Sequence, residues 1–136
     1  MNITIEETIF WNKYLFLLSE GQTDLYFTEE YVKLYENDET CAKSFVYKEN
    51  GKLFLFPYLK RKITSGILSN QYFDLESQYG YGGPICNTDN KDFHNLAIKE
   101  FINFCCNENI VCGFFRFHAP GKMTRAPDAH TLRHSL

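Results

Sequence analysis

Asn50-Gly51 sits between two runs rich in aromatic and aliphatic residues, 44–48 and 53–59. A two-residue hairpin loop of this kind needs positive φ at both centres, which asparagine and glycine tolerate. An antiparallel pair is therefore the fixed point around which the other elements must be placed. In the second run Leu53, Leu55 and Pro57 alternate with Phe54, Phe56 and Tyr58. Apolar residues on both faces predict burial on both sides. Pro57 has no N–H to give to a ladder, so it marks an edge, a bulge or a strand end. The basic run Lys60-Arg61-Lys62 reads as a solvated strand end, with an anion contact as the alternative.

Ahead of the hairpin, Thr4-x-x-Glu7 has the form of a capping box, and Trp11, Tyr14, Leu15 and Leu18 follow at helical spacing. This predicts a first helix stopping near Gly21. Thr28 is placed to cap a second short helix, with Glu29 and Glu30 at its positive end and Tyr31, Leu34 and Tyr35 as its apolar stripe. Beyond the hairpin, residues 72–75 read as a third strand. Asp89 or Asn90 caps the longest helix, about 91–107, lined by Phe93, Leu96, Ala97, Phe101, Phe104 and Cys105. Ile110 to Phe117 is nearly all apolar and predicts a central last strand. The pattern is an α/β, or mixed α+β, chain with a sheet of at least four strands flanked by helices.

With 136 residues, the chain is one domain or part of one. A net charge of −3 offers nothing to DNA or RNA phosphates. No apolar run is long enough for a membrane span, and acidic Glu6 and Glu7 are opposite to a signal peptide. A cytoplasmic protein is expected. Five cysteines, an odd count without a secretory signal, argue against a disulfide framework, and the lack of a Cys-x-x-Cys pair argues against a zinc site. Cys86 with His94 or His118 has the residue types of a nucleophile pair, but spacing alone does not put them in contact.

Tyr79-Gly80-Tyr81-Gly82-Gly83-Pro84 cannot be the interior of a strand or helix. Two tyrosines interleave with bare backbone. One reading is a turn whose rings pack on the core; the other is a loop that meets a ligand with backbone N–H groups and phenols. Arg116 and His118 share one face of the last strand and form a second candidate polar site, with a structural ion pair for Arg116 as the alternative.

Phe73-Asp74 followed by the Tyr79–Pro84 loop resembles a segment of the FemAB-like branch of the GNAT acyltransferases. Asp24-Leu-Tyr-Phe-Thr-Glu-Glu-Tyr31, the hairpin from Phe45 to Leu59 and Phe115-Arg-Phe-His118 fit the same resemblance, which covers about residues 8–118. Members of that branch transfer acetyl or aminoacyl groups to amines, often in cell-wall or surface-glycan synthesis. The resemblance implies a GNAT-like half domain, 1–118, contributing the side that binds a small-molecule, glycan or peptide acceptor through Tyr79, Gly80, Tyr81, Gly82, Gly83, Arg116 and His118. A GNAT acyl-CoA loop carries an Arg/Gln-x-x-Gly-x-Gly/Ala pattern. Tyr79–Pro84 has no arginine or lysine, and Asp74 and Glu76 add negative charge. Acyl-CoA or aminoacyl-tRNA is thus expected only for a full-length enzyme, with no cofactor held by this chain, which is inactive alone.

Residues 119–136 have no aromatic and no Val or Ile, and hold two of the four prolines. Such a stretch buries too little apolar surface to offset its ordering entropy, so it reads as a disordered tail foreign to the domain. Self-association through strand 110–117 would follow if a native continuation is missing. The competing functional class is a small non-catalytic α/β binding module using the 79–84 loop.

Overall fold

The structure is a computed structural model that describes residues 2–18, 27–63, 72–77 and 83–114. Its centre is the expected hairpin, β2 (Thr40–Glu49) and β3 (Lys52–Ile63). Asn50 and Gly51 take φ of 50° and 85°. Both are positive, as the two-residue turn requires. Among the described residues the sheet adds β1 (Ile3–Thr8), β4 (Tyr72–Glu76), a two-residue β5 (Ile85–Cys86) and β6 (Ile110–Phe114). The strand order is β1-β2-β3-β4-β6, with β5 pairing β3 beside β4. Every pairing is antiparallel except β4 with β6, which are parallel and joined through α2 (Lys91–Asn107). The molecule is therefore a mixed α/β sheet flanked by helices. Among the described residues no helix is long and apolar enough to cross a membrane.

The first expected helix is instead strand β1, followed by a short 3₁₀ helix, Asn12–Leu17. Thr4 and Glu7 fit a capping box, but Ile3, Thr4, Ile5 and Thr8 are β-branched and β2 offers a free edge. Pairing from Ile3↔Glu49 to Thr8↔Ser44 outweighs the local signal. The second helix, α1 (Glu29–Lys33), forms where expected, and the Thr28 hydroxyl accepts from the Tyr31 N–H at 3.2 Å. Its buried residue is Val32, whereas Leu34 and Tyr35 are exposed. On α2 the Asn90 carboxamide caps the Phe93 N–H at 3.0 Å. The buried stripe runs through Phe93, His94, Ala97, Ile98, Phe101 and Cys105, and Leu96 lies outside it.

Strand β6 stands at the end of the strand order, not at its centre. Ile110 is buried, but Val111 and Cys112 are exposed. Apolar composition predicted a central strand covered on both faces; among the described residues β6 pairs with β4 alone, and those two residues stay exposed.

Pro57 lies inside β3, opposite Ser44. Lys62 donates its N–H towards Glu39, on the β2 side, while Leu53 accepts from Asn87, on the β5 side. Odd residues of β3 thus direct their backbone groups towards β5 and β4. The β5 pairing ends at Leu55 and the β4 pairing begins at Leu59. The missing N–H of Pro57 faces the interval between them, so the ladder loses nothing there.

Alternation gives the sheet two different faces. Phe45, Tyr47, Phe54, Phe56, Tyr58 and Leu75 pack under α2. Ala42, Val46, Leu53, Leu55, Leu59 and Ile85 pack on the other side, against Trp11, Leu18, Phe27 and Val32.

Candidate functional site

Register puts the ends of β4 and β6 side by side. Glu76, the last residue of β4, pairs with Phe114, the last residue of β6. The two strands are parallel, so their carboxyl ends, which precede Tyr79, Gly80, Tyr81 and Gly82 and Arg116 and His118 in the sequence, are adjacent. In open, mostly parallel α/β sheets ligands bind outside such ends at a topological switch point; here β4 and β6 are the one parallel pair among the described strands. Those six residues lie outside the described residues, as does 119–136. Gly83 is described. It is buried with φ +100°, a conformation that a Cβ disfavours. It leads through buried Pro84 into β5.

A second group of polar side chains was not anticipated. On the α2 face, Glu7 of β1 is reached by three donors from two other strands. The Tyr58 hydroxyl donates to Oε2 at 2.6 Å. The Lys60 ammonium donates to Oε1 at 3.1 Å and to Oε2 at 3.4 Å. Lys43 reaches Oε1 at 3.4 Å. Lys60 also lies 4.7 Å from the Phe73 ring centre and 5.8 Å from that of Phe104. Tyr58 is fully buried and Lys60 nearly so. Burial, and then the Glu7 carboxylate, hold the Tyr58 phenol well above its ordinary range.

Chemically this group is closed. Both Glu7 oxygens are occupied, the Lys60 nitrogen is enclosed by that carboxylate and two rings, and Tyr58 stays protonated. Such a constellation ties the edge strand to β3 across β2; it does not present a base or an amine nucleophile. The sequence carried one usable clue. Lys60 shares strand parity with Phe54, Phe56 and Tyr58, so it belongs to the inner face and not to a solvated end. Its neighbour Arg61 does sit at the surface, paired with Asp74 through Nε–Oδ1 at 3.1 Å.

The thiol readings also resolve. Burial raises the Cys86 thiol far above its ordinary range, and burial with Cys106 pushes Cys105 up to about 12. A thiol so raised supplies no thiolate. His94 donates its Nε2–H to the Thr88 carbonyl at 2.7 Å, closing the first turn of α2. Cys86 and His94 are each committed to the fold. Among the described residues, no three His, Cys, Asp or Glu side chains form a group able to hold a metal ion. No family model, curated protein or solved structure matches the chain.

Proposed function

We propose that this chain is the acceptor-substrate side of an N-acyltransferase of the FemAB-like branch of the GNAT superfamily. The observation that carries the reading is the Glu76↔Phe114 pair in the parallel β4/β6 ladder. It puts the carboxyl ends of two parallel strands side by side, just before the Tyr/Gly loop and the stretch with Arg116 and His118 in the chain, and carboxyl strand ends are where α/β sheets bind ligands when they form a topological switch point. The mixed sheet, with α2 returning the chain between two parallel strands, is the kind of core the resemblance implies. In the reaction an acceptor amine attacks the carbonyl of a thioester or aminoacyl ester, loses its proton, and expels the thiol or alcohol. The loop tyrosines and Arg116 would orient the acceptor. Deprotonation, oxyanion stabilisation and the acyl donor belong to the other half of such an enzyme.

Calorimetric titration tests this directly. The chain alone should bind no acetyl-CoA and acetylate no amine, and should bind an amine-bearing peptide or glycan acceptor that is weakened by Tyr81→Ala and Arg116→Ala. Saturable acetyl-CoA binding followed by turnover, or acceptor binding indifferent to both substitutions, would overturn the reading.

Self-association through 110–117 remains part of the proposal. The outer edge of β6 has no strand partner among the described residues, and Val111 is 51% exposed. Sedimentation should show concentration-dependent association that Val111→Lys abolishes; a monomer at all concentrations would remove this part.

A further inference from the structure

On the face opposite α2, the hairpin tip and the 3₁₀ helix enclose a cleft of about 400 Å³. This is within the usual range for small-molecule sites, about 300–1,000 Å³. Thr4 and Lys48 are direct partners in the β1/β2 ladder, so a hydroxyl and an ammonium stand side by side on its floor. Asn50 and Asn2 add carboxamides at one end, and Phe16 and Leu17 form the opposite wall. Phe16 is 78% exposed, a large ring left at the mouth.

Two further facts separate this cleft from an ordinary surface dip. The first is charge. Lys13, Lys33, Lys43 and Lys60 each face a glutamate, whereas among the described residues Lys48, like Lys52, Lys62, Lys91 and Lys99, does not; of those five, Lys48 is the one that lines the cleft. Lys48 makes no ion pair or hydrogen bond among the described residues, and neither does the Thr4 hydroxyl. The second is rigidity. The Asn87 carboxamide donates to the Gly51 carbonyl at 2.8 Å and to the Leu17 carbonyl at 3.4 Å, and accepts from the Leu53 N–H at 2.7 Å. One side chain thus fixes the spacing between the turn and the helix, the two walls of the cleft. A preset gap lowers the ordering cost of binding.

We propose that this cleft binds a small carboxylate bearing an apolar or aromatic group. The carboxylate meets Lys48 Nζ and the Thr4 hydroxyl, with the Asn50 carboxamide at its side, and the apolar part covers Phe16 and Leu17. An N-acylated amino acid and the free C-terminus of a peptide present the same chemistry. The site lies at the hairpin tip, away from the carboxyl ends of β4 and β6, and does not depend on the acyltransfer reading.

The test is a titration of the ¹⁵N-labelled full chain, followed by NMR, with three probes: N-acetyl-phenylalanine, its primary amide, and the tripeptide Gly-Gly-Phe. The acid should give saturable shifts at the Thr4, Leu17, Asn50 and Gly51 amides, and the amide should bind about tenfold or more weakly, the worth of one charge-assisted contact. Lys48→Met should cost the acid a similar factor while Lys48→Arg retains binding. Phe16→Ser should weaken acid and amide alike. Amide shifts remote from the cleft report that each variant is folded. Tighter binding of Gly-Gly-Phe assigns a peptide C-terminus; binding of the acid alone assigns a small metabolite-sized acid. Equal affinity for acid and amide, an unchanged Lys48→Met, or no shift at millimolar probe would overturn the proposal.

Discussion

Under α2 the Phe101 ring lies 4.9 Å from Phe56 and 5.2 Å from Phe45, centre to centre, and Phe45 in turn meets Phe54 at 6.0 Å. On the opposite face the contacts are mainly aliphatic, and among the described residues the covering elements are a six-residue 3₁₀ helix and a five-residue α-helix. Helices so short do not persist by themselves. Hydrogen bonds hold them instead. The Trp11 indole N–H donates to the Phe27 carbonyl at 2.7 Å, Asn12 N–H donates to the Glu29 carboxylate, and Glu29 N–H donates back to Asn12 Oδ1 at 3.0 Å. One face is secured by ring packing beneath a single long helix. The other is stitched by polar side chains to backbone. Deleting apolar volume should hurt the first most, and deleting single polar groups the second.

Phe101→Ala is the most severe break of that contrast. It removes the ring shared by Phe45, Phe56, Tyr58 and Phe104, and should cost about 4 kcal/mol in urea denaturation. Trp11, the one tryptophan, is buried on the other face, so its fluorescence asks whether both faces unfold together. Coincident Trp11 and near-ultraviolet dichroism transitions mean one cooperative unit; separate midpoints would mean two. Glu7→Ala leaves Lys60 buried without its carboxylate and should cost about 3 kcal/mol. Glu7→Leu with Lys60→Met should regain most of that loss in the same assay; no recovery would show that the group does more than tie β1 down.

Alkaline titration separates the faces chemically. Tyr58 is held well above the ordinary 10.0, and Tyr47 is raised to about 12 by burial and the Glu49 carboxylate. Tyr14, on the other face, is raised to about 12 by burial and Glu6. A raised folded-state pKa contributes stability that is complete below the unfolded value and fades as pH climbs past it. Stability should therefore fall above about pH 10, and Tyr58→Phe should flatten the fall more than Tyr14→Phe. Asn12→Ala should cost about 1 kcal/mol by freeing the Glu29 N–H, seen as a lower midpoint by Trp11 fluorescence. Arg61→Ala, at an exposed pair, should stay within about 0.5 kcal/mol.

The hairpin, the parity of its strands and the capped α2 were legible because each rests on a local signal: Asn50-Gly51, alternation, and Asn90 three residues before Phe93. Strand β1 was not. Its capping-box residues are local, but the partner that makes it a strand lies some forty residues away. The Glu7–Tyr58–Lys60 group was hidden for the same reason, since neither the carboxylate nor the lysine identifies its counterpart until the register is known. The terminal place of β6 misled by composition, because an apolar run does not state how many neighbours it has. Of the expected site only Gly83 lies within the described residues.

The spread of these pairings along the chain has a consequence in time. β2 and β3 meet through a two-residue turn, whereas Ile3↔Glu49 and Glu7↔Phe45 close loops of more than thirty residues. Closing such loops costs entropy before any contact repays it, so the hairpin should form early and β1 should dock late. Substitutions at Val46 or Leu55 should slow refolding, while Glu7→Ala should chiefly speed unfolding, letting the amino-terminal strand detach first. A refolding rate that falls with Glu7→Ala as much as with Leu55→Ala would place the docking of β1 within the rate-limiting step.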